Sequence, residues 1–238
     1  MRLIETAGDL EEGVAALTEC EPRFAGAAAH GLPALRRREP GFATLAEIVT
    51  EQMISLAAAR AIIARLRAAY DPFAPMVICS GGMTALQGLG LSRAKAEAIL
   101  AVADSAAAGG LDFNALADHS DDDVRLRLTC YSGIGPWTAE IYLLTALGRS
   151  DAWPCGDVAL QRAAQALFSM EERPSEKAMQ SLAENWRPWR SVAARLLWAH
   201  YRRTNGILPA VDEESGPLHR LVAQDIVGLS ETKNVPKG

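Results

Sequence analysis

The chain has 238 residues, a formal net charge of -5, 49% hydrophobic residues and 22% charged ones, the balance of an ordinary globular protein with a sizeable core. No apolar run approaches the roughly 20 residues that cross a bilayer, and the acidic start, with Glu5, Asp9, Glu11 and Glu12, does not read as a signal peptide. Cys20, Cys79, Cys130 and Cys155 lie far apart with no C-x-x-C pair, so no zinc or iron–sulfur ligand set is expected, and reduced thiols in a cytoplasmic setting are the default.

Alanine is abundant and β-branched runs are few, so nearly every segment reads as helix and the expected class is all-α. Thr44 and Glu47 have the spacing of a capping box ahead of Leu45, Ile48 and Val49. Ser55 caps the next predicted helix, whose inner face is Ala59, Ile62, Ile63, Leu66 and Tyr70. Residues 52–54 fall at the joint, and Asp71-Pro72 stops the run. Gly81-Gly82 and Gly88-Leu89-Gly90 predict turns. Ser92 caps a helix to about Ala108, ended by Gly109-Gly110. Ser120 with Asp121, Asp122 and Asp123 opens another helix, because negative charge suits a helix N-terminus. After Thr129 comes Tyr131-Ser132-Gly133-Ile134-Gly135-Pro136-Trp137, a tight turn with proline at the first position of a helix to about Leu147. A loop from Gly148 to Gly156 leads to a helix opening at Asp157, and further helices cover about Ser175 to Trp186 and Pro188 to Thr204.

A helix, a Gly-Ile-Gly hairpin and a second helix make an anion site, because the amides opening the second helix have no partner. They suit a phosphate oxygen, directly or through a monovalent cation held by hairpin carbonyls. Such a contact positions a strand without reading its sequence. Asp157, preceded by Pro154-Cys155-Gly156, lies 22 residues after Gly135. This constellation resembles the helix-hairpin-helix DNA glycosylases, which combine a hairpin, a Gly/Pro-rich loop and a catalytic aspartate. Glu51-Gln52-Met53-Ile54-Ser55, Gly88 through Lys95, the hairpin, Asp157 and Arg187-Pro188-Trp189-Arg190-Ser191 together resemble the 3-methyladenine DNA glycosylase II family. The resemblance runs from about Phe42 to Tyr201, in the family's order, and matches the short form without an N-terminal sheet domain.

The resemblance implies a two-lobed, all-α helix-hairpin-helix DNA glycosylase fold. N-terminal helices (1–42) pack on the second lobe. A helical lobe (43–148) holds the hairpin at about 120–148. C-terminal helices (149–208) complete the other lobe with the catalytic aspartate, and a polar tail (209–238) follows. It puts catalysis on Asp157, whose carboxylate would stabilise the positive charge that builds on deoxyribose as an N-glycosidic bond breaks. As an isolated feature, Asp157 also reads as an N-cap, and the two roles are compatible. Bifunctional relatives carry a lysine just after the hairpin, where this chain has Trp137. The nearest lysines in sequence are Lys95 and Lys177, so water is the expected nucleophile.

The base pocket is expected at Trp137, Trp198, Ile141 and Val158. Trp198, nine residues after Trp189, falls at the family's stacking platform. Trp137 and Trp198 are otherwise core residues. The family often has aromatics where this chain has Ile141 and Val158, with Tyr142 one place off, so a slimmer pocket favouring 3-methyladenine-like lesions is expected. Met53 is the expected wedge filling the gap left by a flipped base, with Gln52 contacting the orphaned partner. Phosphate contacts are assigned to the amides of Gly133, Gly135 and Trp137 and to Arg190.

The partner implied is double-stranded DNA containing alkylated bases, met by a cytoplasmic, nucleoid-associated monomer with no cofactor, no side-chain metal ligands and no membrane. The acidic balance counts against DNA only as a global sum. Arg187, Arg190, Arg195, Arg202 and Arg203 cluster away from the acidic runs. The alternatives are a non-catalytic hairpin DNA binder and a glycosylase for other damaged bases.

Overall fold

The structure is a computed structural model and describes residues 2–206, so the polar tail expected at 209–238 lies outside the described residues. The chain up to Tyr201 forms one compact unit. The second unit begins at Arg202, and its described part, 202–206, includes the end of the last helix. Among the described residues the chain is helical, and its strand-like pairing is an isolated bridge between Leu3 and Arg149. In order the helices are α1 (Ala7–Cys20), α2 (Ala25–Ala28), α3 (Phe42–Glu51), α4 (Leu56–Ala69), α5 (Pro75–Gly88) and α6 (Arg93–Ala107). They continue with α7 (Asp121–Thr129), α8 (Pro136–Thr145), α9 (Val158–Leu167), α10 (Glu176–Ala183) and α11 (Arg190–Thr204). Short 3-10 turns lie at Pro22–Phe24, Ala115–Asp118 and Glu184–Trp186.

Caps set most boundaries. Ser55, Ser92, Ser120 and Ser175 each accept the backbone N–H three residues on, which satisfies an orphan donor of the first turn. α1 has a capping box that uses Thr6 and Asp9. The box expected from Thr44 and Glu47 does not form. α3 starts earlier, at Phe42 after Gly41, which places Thr44 inside the helix, where its hydroxyl donates to the Glu39 carbonyl at 2.6 Å. Glu47 instead pairs with Arg67 on α4. The turn expected at Gly81-Gly82 is a kink within α5, where Gly82 takes φ +68 and ψ -179 and the helix resumes beyond it.

Two sets of helices share the core. α3 packs on α4, α6 and α8, α5 on α6, and α7 on α8. Leu45, Ile48, Leu86, Leu128, Leu143 and Leu144 are buried among them. α1 meets the Glu184–Trp186 turn, and Phe24, Phe168, Trp153 and Trp186 form an aromatic cluster whose contacts are mostly edge-on. The irregular segment before α3 is tied down by arginines. Arg195, buried on α11, donates to the carbonyls of Ala34, Leu35 and Leu144, and Arg37 donates to Ile4 and Ala146. Burial, with Arg37 and Arg36 nearby, pushes the Arg195 guanidinium down to about 10.

Candidate active site

The hairpin joins α7 to α8. Buried Ile134 anchors its tip, and the Ile134 N–H donates to the Tyr131 carbonyl at 3.1 Å. Gly133 takes φ +86, and a Cβ there would lie 2.8 Å from the Ala98 Cβ of α6. Glycine is therefore required twice, by backbone conformation and by close packing. Gly135 is the N-cap of α8 and Pro136 its first residue. Among the described residues no acceptor meets the amides of Gly133, Gly135 or Trp137, which leaves the opening of α8 available to an anion.

The loop after α8 carries Asp157 and is held from several sides. Arg149, 2% exposed, donates to the carbonyls of Ala117 and His119. Ser191 on α11 donates to the carbonyls of Arg149 and Ala152. Glu140 on α8 accepts the Trp153 N–H at 2.7 Å while paired with Arg125. Gln161 on α9 donates to the Cys155 carbonyl.

Asp157 caps α9, and its Oδ1 accepts the Leu160 N–H at 2.9 Å. Both tryptophans expected at the site turn their indole N–H onto the same carboxylate. Trp137 Nε1 donates to Oδ2 at 3.0 Å and Trp198 Nε1 to Oδ1 at 3.2 Å. One half-buried anion thus faces two indoles, one at the start of the hairpin's second helix and one on α11. Val158, 44% exposed, opens α9 beside it. Ile141 stands one turn after Trp137 but is 6% exposed and belongs to the core. Tyr142 is core too: its hydroxyl accepts the Gly41 N–H at 2.9 Å, and burial pushes it up to about 12.

Met53 is 98% exposed, with φ +54, at the joint of α3 and α4. That left-handed conformation costs a non-glycine residue about 1–2 kcal/mol. Gln52 is not free to contact a base in this state. Its amide nitrogen donates to the Gly133 carbonyl at 3.0 Å and to Thr138 Oγ1 at 2.8 Å.

Arg190 is a correction. It is 4% exposed, and its Nε and Nη2 donate to both carboxylate oxygens and the carbonyl of Asp151 at 2.7–2.9 Å, with Nη1 3.7 Å from Glu184, so the side chain is turned into an ion-pair cluster rather than out towards a phosphate. Arg187 also pairs with Asp151. A cleft of about 600 Å³ lies here, with Asp121, Arg125, Glu140, Asp151, Arg187 and Arg190 in its wall, their charges already paired. Of the two lysines among the described residues, Lys95 Nζ donates to the carbonyls of Thr50 and Gln52, and Lys177 is exposed on α10. Sequence reading missed Lys95, Glu140 and Asp151 as parts of the site's frame, since the partners of each lie many residues away.

Residues 46–188, more than half of the chain, match the family described as HhH-GPD superfamily base excision DNA repair protein. The chain belongs to the HhH-GPD superfamily. This HhH-GPD chain is 30% identical over 115 residues to a DNA-3-methyladenine glycosylase of Bacillus subtilis, covering 48% of the chain and 38% of that protein. In a second Bacillus subtilis relative it spans 39% of the length, so the chain covers well under two thirds of these curated relatives. Among solved structures, a DNA-3-methyladenine glycosidase from Bacillus halodurans superposes with a TM-score of 0.69 at 29% identity, over 87% of this chain and 95% of that one. Schizosaccharomyces pombe Mag1, a 3-methyladenine DNA glycosylase in complex with abasic DNA, superposes at 0.72 and 22% identity, over 82% and 97%, a likeness of fold. The all-helical HhH-GPD architecture expected from the motifs is the one found.

Proposed function

We propose that the chain is a monofunctional DNA glycosylase that hydrolyses the N-glycosidic bond of alkylated, 3-methyladenine-like bases in double-stranded DNA. The observation that carries this reading is Asp157, whose two oxygens accept the indole N–H groups of Trp137 and Trp198 beside the hairpin. Alkylation at a ring nitrogen gives the base a formal positive charge, and such a base stacks on an indole face with up to about 2 kcal/mol when desolvated. As the bond from C1′ to the base nitrogen breaks, its electron pair leaves with the base, which departs neutral. The sugar takes on oxocarbenium character, which a fixed carboxylate stabilises. Water adds to C1′ and loses its proton through Asp157 to solvent, and the product is an abasic site with the strand intact.

Met53 is the proposed wedge, and the open amides of Gly133, Gly135 and Trp137 are the proposed phosphate grip, without Arg190. DNA as the partner is supported by the family and by the abasic DNA bound to the Mag1 neighbour. Every group named comes from one chain, in keeping with a monomer in two lobes with DNA between them, working at the nucleoid. No helix of the described residues is long and apolar enough to cross a membrane. Val158, exposed beside Asp157, leaves the pocket with little aromatic lining beyond the two tryptophans, so release is expected from 3-methyladenine ahead of 7-methylguanine and ethenoadenine. Assays on that lesion panel, with and without alkali, test the reading. Strand breaks only after alkali are expected, and breaks without alkali would mean a lyase.

A further inference from the structure

Lys95 lies in a stretch that marks the family resemblance, yet the proposed chemistry leaves it without a role. Its surroundings supply one. α3 ends at Glu51, where the carbonyls of a last helical turn have no partner. The Lys95 ammonium, reaching across from α6, takes two carbonyls at this end, Thr50 at 2.8 Å and Gln52 at 2.7 Å. The next residue is Met53, left-handed and almost wholly in water, with nothing of its own to hold it. On the other side, the Gln52 amide donates to Gly133 and Thr138 of the hairpin. Lys95 also stands one turn before Ala98, against which Gly133 packs. One helix, α6, therefore bears on both the wedge joint and the hairpin.

We propose that Lys95 is a positioning residue: with Gln52 it tethers the Met53 joint to the hairpin, so that phosphate grip and wedge enter DNA as one rigid unit. Burial lowers the Lys95 ammonium from its ordinary range. The tether acts only where a base must be forced from the stack, because a wedge that swings freely still binds backbone but fills the gap poorly. This inference rests on the proposed glycosylase reading for its rates, but not for its binding.

The experiment compares the wild type with Lys95→Met, Lys95→Arg and Gln52→Met. Single-turnover excision is measured on 3-methyladenine in matched duplex and on the same lesion opposite an abasic site, where it is already unpaired. Affinity is measured for undamaged duplex and for duplex carrying a tetrahydrofuran abasic analogue. Lys95→Met should lose about tenfold or more on the paired lesion but little on the unpaired one. It should also lose preference for the abasic analogue while keeping its affinity for undamaged duplex. Lys95→Arg, which still donates to both carbonyls, should restore both. Gln52→Met should repeat the pattern and serves if Lys95→Met fails to fold. Equal losses on both lesions, or none, would overturn the tether. A wild type that prefers the abasic duplex yet releases no base would sink the glycosylase reading alone. A wild type with no such preference would overturn the tether as well.

Discussion

Two indole N–H groups and one backbone N–H on a single carboxylate fix the orientation of Asp157 more tightly than helix capping needs. A hydrogen bond to a charged group contributes about 1.5–3 kcal/mol. Trp198→Phe, which keeps a ring but removes the donor, should lower single-turnover base release about ten- to a hundredfold, short of the loss from removing the charge of Asp157. Equal rates for Trp198→Phe and wild type would mean that the contact only fills the empty site. Arg190 leads to a different expectation. Deleting one partner of a buried ion pair costs about 3–5 kcal/mol. Because Asp151 keeps some solvent and a second arginine, Arg190→Ala should lie near the lower end, about 3 kcal/mol in denaturant unfolding, with no selective effect on DNA affinity. The family resemblance singled out Asp157, Trp137 and Trp198 from their order along the chain, and the fold brings these three together by hydrogen bonds. The pairing of Arg190 was not legible, because a basic residue looks free in a sequence until its carboxylate, 39 residues earlier, is folded against it.

Hairpin and helix α6 set the terms at the level of elements. Gly133→Ala should force either the αL strain or the 2.8 Å approach to Ala98 to relax, destabilising the fold by about 1–3 kcal/mol and weakening binding to undamaged duplex. Thermal unfolding and fluorescence anisotropy would check the two effects, and unchanged affinity would show that the hairpin amides do not touch phosphate. Helices whose ends carry serine caps were readable almost to the residue, since the cap is a local interaction. The start of α3 and the kink at Gly82 were not. Gly41 can open a helix without a side-chain signal, and a glycine pair looks alike whether the chain turns or a helix merely bends.

For the whole molecule, a net charge of -5 has to be reconciled with the proposed polyanionic partner. Most arginines serve the fold: Arg38, Arg67, Arg125 and Arg187 pair with carboxylates, and Arg37 and Arg195 with carbonyls. Among the described residues Arg60, Arg127, Arg162, Arg173 and Lys177 are exposed and make no ion pair. If backbone amides supply the main grip, binding to undamaged duplex should weaken only gently with salt, with a log–log slope on the order of -2 to -4, since slope follows the number of phosphates neutralised by cationic side chains. A much steeper slope, measured by anisotropy across salt concentrations, would require a basic face beyond these residues. The measurement that tests the account most directly is release of 3-methyladenine from alkylated duplex DNA by the wild type and by Asp157→Asn, side by side at equal DNA occupancy. Release by the wild type and a loss of several orders of magnitude in the variant are expected; comparable release by both, or none by either with binding intact, would contradict a carboxylate-driven glycosylase.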